Sequence, residues 1–322
     1  MRNIFERAAR AAGFVLVLLV LLTEAGHAAC SVTGAVPATF GSVTSFVVRN
    51  ASQSTSTTNA GLSCGGALLS VLGSGDHVYA TIQSANATKL VASNGDTIPY
   101  AIFADSGYTV RLNAGQQYDF ASGQGLNILG LLGGPGGYLP LYFRTITGSN
   151  VAAGVYTDTL TINWQWNYCS GIGLLGLCLG RDVGSGTSTV TLTLTVTNDC
   201  VVTAPNIDFG SAPLVGAFQA INSNISLVCT KGMSYTVGIG PGMNVASDGR
   251  RQMASGSYRL QYDLFNSGNP AAWDATANRV ASSGLSDGLT AQSLPYTAKI
   301  YADQATPPVG AYTDSVIIDI RY

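Results

Sequence analysis

The chain has 322 residues, of which 46% are hydrophobic and only 10% charged, with 39 glycines, six cysteines and a formal net charge of −2. At about 150 residues per domain, two domains are expected, each long enough to bury a core. No basic surplus exists to neutralise phosphates, which argues against a nucleic-acid partner, and so few charges beside abundant Gly, Ser, Thr and Val point away from an ordinary cytosolic enzyme and towards an exported, strand-rich protein.

The first element is a leader. Arg2, Arg7 and Arg10 precede an apolar run from Ala11 to Leu22, and small residues Ala25, Gly26, Ala28 and Ala29 follow. This is the pattern of a secretory signal peptide over residues 1–29; the run is too short for a bilayer, which takes about 20 apolar residues. Cleavage after Ala28 or Ala29 leaves Cys30 at or beside the mature N-terminus. A lipid-modified Cys30 is the rival reading, but His27 stands where such a site usually carries a Leu-like residue, so Cys30 is expected in a disulfide. Beyond the leader there are 15 Asp, no Glu, three Lys and one His, His77. Helices favour Glu, Lys and Gln, whereas strands favour Thr, Val, Ile and Tyr, so the composition predicts an all-β fold.

Next comes an internal repeat. Cys30-Ser-Val-Thr33 followed by Phe40-Gly-Ser42 returns as Cys200-Val-Val-Thr203 followed by Phe209-Gly-Ser211. Gly61-Leu-Ser-Cys64 returns loosely as Ser226-Leu-Val-Cys229. Leu139-Pro140 and Gly154-Val-Tyr-Thr-Asp158 return as Leu294-Pro295 and Gly310-Ala-Tyr-Thr-Asp314. The spacing between equivalent positions shrinks along the chain, so the first copy holds extra residues between Cys64 and Leu139. The expected organisation is therefore a leader over 1–29, a first domain over 30–198 and a second over 199–322. Six cysteines allow 15 connectivities. Equivalence between the copies selects Cys30 with Cys64 and Cys200 with Cys229, leaving Cys169 and Cys178 to close a local loop. The spacings match no zinc pattern, so stapling is preferred to metal binding and no cofactor is expected.

Within each copy, period-two alternation bounded by Gly, Pro, Asn and Ser predicts about seven short strands. Ala67 to Leu72 aligns with Met233 to Gly240 and is read as a core strand. Tyr156, Leu160, Ile162, Trp164, Trp166 and Tyr168 share one strand face, as do Val316, Ile318, Ile320 and Tyr322. A tyrosine opening a late strand in each copy suits an immunoglobulin-like sandwich, with Gly-x-Tyr-x-Asp acting as a tyrosine corner. The copies then diverge. The first makes its Cys169–Cys178 loop and continues through residues 189–197, where Val190, Leu192, Leu194 and Val196 alternate strictly with Thr. The second stops at Tyr322 with no such strand. Its sandwich is expected to lack the last strand, leaving an edge and an apolar groove that a strand from another chain can fill.

In this ordered and duplicated pattern of Cys, Phe-Gly, Cys, Leu-Pro and Gly-x-Tyr-x-Asp, the chain resembles the spore-coat-U-like domains of archaic chaperone-usher pili, best over 200–322 and more loosely over 30–198. The resemblance implies an incomplete immunoglobulin-like fold completed by a strand from a periplasmic chaperone and then from a neighbouring pilin subunit, after passage through an outer-membrane usher. It puts the strand-acceptor groove along Val316, Ile318 and Ile320. With Cys30 at the mature N-terminus no extension is left to donate, so the resemblance implies a two-domain tip adhesin at the fibre end, exported through the periplasm to the cell surface.

The first copy's own features supply the expected contact. Leu126, Ile128, Leu129, Leu131 and Leu132, and then Ile172, Leu174, Leu175, Leu177 and Leu179, are large apolar side chains in Gly-rich stretches. Glycine weakens a strand interior, so these residues are expected at loop tips that attach to hydrophobic surfaces, whereas Trp164 and Trp166 are assigned to the core. A sugar-binding tip lectin and a structural coat or shaft subunit are the alternatives. Catalysis is not expected: His77 follows Asp76 in a turn, no Gly-x-Ser-x-Gly elbow accompanies it, a sandwich of this size offers little cleft for paired Asp chemistry, and the Gly-rich stretches lack the Lys and Ser/Thr of a phosphate loop.

Overall fold

The computed structural model describes residues 30–35, 37–64, 76–121, 139–174 and 177–322, and in it regular structure is almost entirely strand. In chain order the first unit contains β1 (Cys30–Val32), β2 (Ala38–Thr44), a short helix α1 (Ser45–Asn50), β3 (Ser54–Ser56), β4 (Leu62–Cys64), β5 (His77–Ser84), β6 (Lys89–Val91), β7 (Thr97–Phe103), β8 (Arg111–Leu112), β9 (Gln117–Asp119), β10 (Tyr142–Thr145), β11 (Gly154–Leu174) and β12 (Leu177–Thr197). The second contains β13 (Cys200–Thr203), β14 (Ile221–Cys229), β15 (Thr236–Ile239), β16 (Arg251–Ser255), β17 (Tyr258–Asn266), β18 (Val280–Ala281), β19 (Gln292–Ile300) and β20 (Ile318–Arg321). Each unit is an immunoglobulin-like sandwich with its own apolar core, one drawn from Cys30 to Val196 and the other from Cys200 to Ile320.

Alternation builds the first unit. From Thr187 to the end of β12 every second residue is a threonine on the outer face, and Val190, Leu192, Leu194 and Val196 face in at no more than 2% exposure. Opposite them β11 turns Tyr156, Asp158, Leu160, Ile162, Trp164 and Trp166 inward. The two strands form one long antiparallel hairpin from Gly154↔Val196 to Leu174↔Leu177. β11 pairs with β5 on its other side, and β12 pairs in parallel with β2. A single ladder pair, Thr157↔Val91, links this layer to β6, β7, β10 and β3, so the sheet curls around the core. The hairpin replaces the loop expected between Cys169 and Cys178: the strands continue to Leu174 and resume at Leu177, with a register shift between Cys169 and Ile172. Cross-strand pairing satisfies backbone groups that a loop would leave to water.

The second unit repeats this plan. β13–β14–β19–β17–β16 form one sheet and β18–β15–β20 the other. Cys200 lies opposite Cys229 and is bonded to it; Cys30, likewise in a disulfide, lies opposite Cys64. Ile82 faces Ile162 across β5 and β11, and Ile239 faces Ile318 across β15 and β20. β5 is therefore the equivalent of Met233–Gly240, which corrects the alignment of that segment with Ala67–Leu72; the latter lies outside the described residues. Both tyrosine corners form: Tyr156 donates to the Ala152 carbonyl at 2.6 Å and Tyr312 to the Pro308 carbonyl at 2.7 Å.

The units meet around the short link from Thr197 to Cys200. Lys231 Nζ pairs with Asp96 Oδ1 at 2.5 Å, and Ala152 bridges Lys231 through the backbone. Ser45 and Thr230 share a buried hydroxyl hydrogen bond of 2.7 Å. Arg49 donates to the Gly288 carbonyl and Asn150 Nδ2 to the Asp287 carbonyl.

Candidate strand-acceptor groove

Two strands built on one motif have different surroundings. In the first unit Leu160, Ile162 and Trp164 are sealed at 0%, 0% and 1% exposure, because β12 covers them. By the Gly-x-Tyr-x-Asp register their equivalents are Val316, Ile318 and Ile320, which pack on the second core but remain half-exposed. β20 pairs with β15 through Val237↔Ile320 and Ile239↔Ile318. Among the described residues, no strand pairs with its other edge.

The opposite wall follows from the same absence. Ala38 and Phe40 are buried in β2, whose ladder partner is β12. Their equivalents, Ile207 and Phe209, lie half-buried against the second core in a segment without regular structure. A strand needs a partner for its N–H and C=O groups; among the described residues none pairs with this segment, and it is irregular. Ile207, Phe209 and Ile221 thus join Val316, Ile318 and Ile320 around an apolar trough. The signal for Phe209 is present in the repeated Phe-Gly pair; Ile207 and Ile221 carry no periodicity that distinguishes them.

The trough has a polar seat. In the first unit the Asp158 carboxylate, fully buried, accepts hydrogen bonds from Ser84 Oγ, Tyr100 OH and the Asn86 N–H. Its equivalent Asp314 accepts from Tyr262 OH at 2.8 Å and from the Met243 N–H at 2.9 Å while staying half-exposed. Burial, followed by the carboxylate hydrogen bond, pushes both the Tyr100 and Tyr262 phenols well above their ordinary range, so each remains a donor. Beneath them Arg251 and Asp263 form a buried pair at 2.7 Å, and Arg251 also donates to the carbonyls of Ile239, Gly240 and Trp273. Burial pushes the Asp263 carboxyl up, against the pull of Arg251. This guanidinium ties the end of β15, and through it β20, to the opposite sheet.

The other residues singled out by the sequence pattern fall elsewhere. Ile172 and Leu174 end β11, and Leu177 and Leu179 begin β12, at the far tip of the hairpin. Leu126, Ile128, Leu129, Leu131, Leu132 and Leu175 lie outside the described residues. His77 Nδ1 bonds Asp119 at 2.7 Å and its ring stacks on Tyr79. Among the described residues no group of three or more His, Cys, Asp or Glu gathers as a metal site.

The arrangement defines a tandem immunoglobulin-like protein with one closed sandwich and one open to a further strand. The model of the Spore Coat Protein U domain matches residues 16–163 and 186–319, and the chain belongs to that family. No curated protein matches it. Among solved structures it is similar to a chain in the CsuC–CsuE chaperone–tip adhesion subunit pre-assembly complex from the archaic chaperone-usher Csu pili of Acinetobacter baumannii. That similarity has a TM-score of 0.62 and 24% identity, over 91% of this chain and 100% of that one. It also matches the CupB6 tip adhesin of Pseudomonas aeruginosa at 12% identity and a TM-score of 0.31, over 90% of this chain and 94% of that one. At these identities the first likeness concerns the fold, and the second is too distant to argue from.

Proposed function

We propose that this chain is the tip adhesin of an archaic chaperone-usher pilus, anchored by a borrowed strand in its second unit and attaching through apolar tips on its first. The observation that carries this is the contrast between Leu160, Ile162 and Trp164, sealed by β12, and Val316, Ile318 and Ile320, left half-exposed. A protein that closes one sandwich and leaves the other open accepts a strand. The fold likeness to a tip adhesion subunit in complex with its chaperone supports the same reading. On this view residues 1–29 are removed on export, 30–198 form the adhesin domain, and 199–322 form the pilin domain. The groove is filled first by a periplasmic chaperone, then, at the outer-membrane usher, by a neighbouring subunit. No catalytic step is involved.

The far end of the β11–β12 hairpin carries leucines, and the run Leu126–Leu132 is the proposed companion tip. A desolvated leucine contributes about 1.5–3 kcal/mol, part of which immobilisation removes, and many fibres acting together turn weak contacts into firm attachment. The test replaces Leu129, Leu132, Leu174 and Leu175 with Asp or Ser and measures attachment of fibre-bearing cells to plastic. Attachment should fall sharply; unchanged attachment by normally assembled fibres rejects the proposal.

A further inference from the structure

Asp182 lies on β12 near the hairpin's far end, half-buried, and its Oδ2 accepts two hydrogen bonds from neutral donors. One comes from Trp166 Nε1 at 3.1 Å, the other from the backbone nitrogen of Cys30 at 2.6 Å. Among the described residues no Lys, Arg or His forms an ion pair with this carboxylate. Arg181 next to it is directed to Asp76 and Asn167 instead. Cys30 itself is buried, 6% exposed, and in a disulfide, so its sulfur is not available for a thioether to lipid. The second unit handles the same position differently. The Cys200 N–H is capped by the side chain of the preceding residue, Asp199, on a chain that arrives from β12. The residue before Cys30 is Ala29, which offers no such cap, and the acceptor is supplied instead by β12, distant in sequence but beside β1 in space. A half-buried carboxylate without a cation is costly, whereas one facing an ammonium group gains a charge-assisted hydrogen bond.

We propose that the leader is cut between Ala29 and Cys30, and that the α-ammonium group so created is the counter-ion of Asp182. Hydrolysis consumes one water. The Ala29–Cys30 amide bond breaks, Ala29 leaves with the leader as a carboxylate, and the Cys30 nitrogen, carrying the transferred protons, becomes the ammonium. Processing thus finishes the seam between β1 and β12 and fixes the chain end inside the first unit. The inference rests on reading residues 1–29 as a removable leader.

The test uses the mature full-length protein recovered from the periplasm, read first by N-terminal sequencing and intact mass. The expected first residue is Cys30. The protein is then treated at pH 7 with an amine-acylating ester and mapped by mass spectrometry. An exposed α-amine, with an ordinary pKa near 8, reacts ahead of lysines near 10.4. Held by Asp182, the Cys30 amine should react at least tenfold more slowly than the exposed Lys89 and Lys299, and Asp182→Asn should make it the fastest site. A mature chain starting at any other residue, a wild-type α-amine acylated first, or protection unchanged in Asp182→Asn each overturns the proposal. A chain that keeps its leader overturns the export reading beneath it, and a chain cut at a different bond leaves that reading standing.

Discussion

Ile162 and Ile318 occupy the same place in two copies of one motif, and the cost of removing each side chain reports directly on the strand that covers it. Ile162 is fully buried, so Ile162→Ala should cost the transfer term plus the cavity, about 2–5 kcal/mol. Ile318 keeps part of its surface in water and borders an open trough, so Ile318→Ala should cost only about 1 kcal/mol, since about half the transfer term is absent and no closed cavity forms. The second arm closes the trough. An Asn-Gly turn followed by a second copy of residues 184–197 is appended after Tyr322, because Trp166, the equivalent of Tyr322, faces Gly184 in the natural hairpin and Asn-Gly favours a two-residue connection. In that closed form Ile318→Ala should cost about 2–5 kcal/mol, like its counterpart. At about 4 °C per kcal/mol for a unit of this size, the melting shift should grow from about 4 °C to between about 8 and 20 °C. Differential scanning calorimetry, which separates the two units' transitions, measures both. Equal costs in the open and closed forms would refute the argument that β20 lacks its neighbour.

Three further outcomes follow from the polar contacts. Arg251→Met strands the buried Asp263 carboxyl and should destabilise the second unit by about 3–5 kcal/mol, with partial recovery in Arg251→Met/Asp263→Asn; urea titration of both variants checks this. Burial, with a smaller contribution from Asp96, raises the Tyr156 phenol to about 12, and burial, then Asp263, does the same for Tyr301. Because these pKa values are higher folded than unfolded, the stabilisation is complete below about pH 10 and is lost as pH rises towards 12. Absorbance at 295 nm should therefore show a late-titrating tyrosine class that merges with the others on unfolding. At the joint, burial opposes but Lys231 and the Ala152 N–H outweigh it, holding the Asp96 carboxyl below its usual value. That stabilisation is present above about pH 4 and is lost as pH falls further; Lys231→Ala should reproduce the loss at neutral pH, by less than about 1 kcal/mol because the lysine is substantially exposed, and small-angle scattering should register a wider spread of inter-unit angles.

What can be read from the sequence depends on whether a residue's partner is implied by local pattern. Thr alternating with Val190, Leu192, Leu194 and Val196 identifies β12 without help from elsewhere, and the duplicated Gly-x-Tyr-x-Asp reveals both tyrosine corners and which strands of the two copies correspond. The Cys200–Cys229 bridge follows from the repeat. Long-range pairings are opaque. Nothing local says that β2 runs parallel to β12, that Asp158 on a core-facing position is rescued by Tyr100 and Ser84, or that Ile207 becomes a groove wall. The glycines of the Cys169–Cys178 stretch weaken strand propensity and predict a loop, yet the register set by the strands behind it carries the hairpin on to Leu174. Propensity yields there to an edge already templated.

The contacts at the joint come from α1 and loops of the first unit and from loops of the second, not from the link alone. Swinging one half relative to the other requires parting the Lys231–Asp96 pair, the Ser45–Thr230 hydroxyls and the Arg49 and Asn150 anchors together. A sideways tug on the first unit is therefore delivered to the second as torque, with little slack taken up in between, and the molecule behaves as a lever instead of two beads on a string.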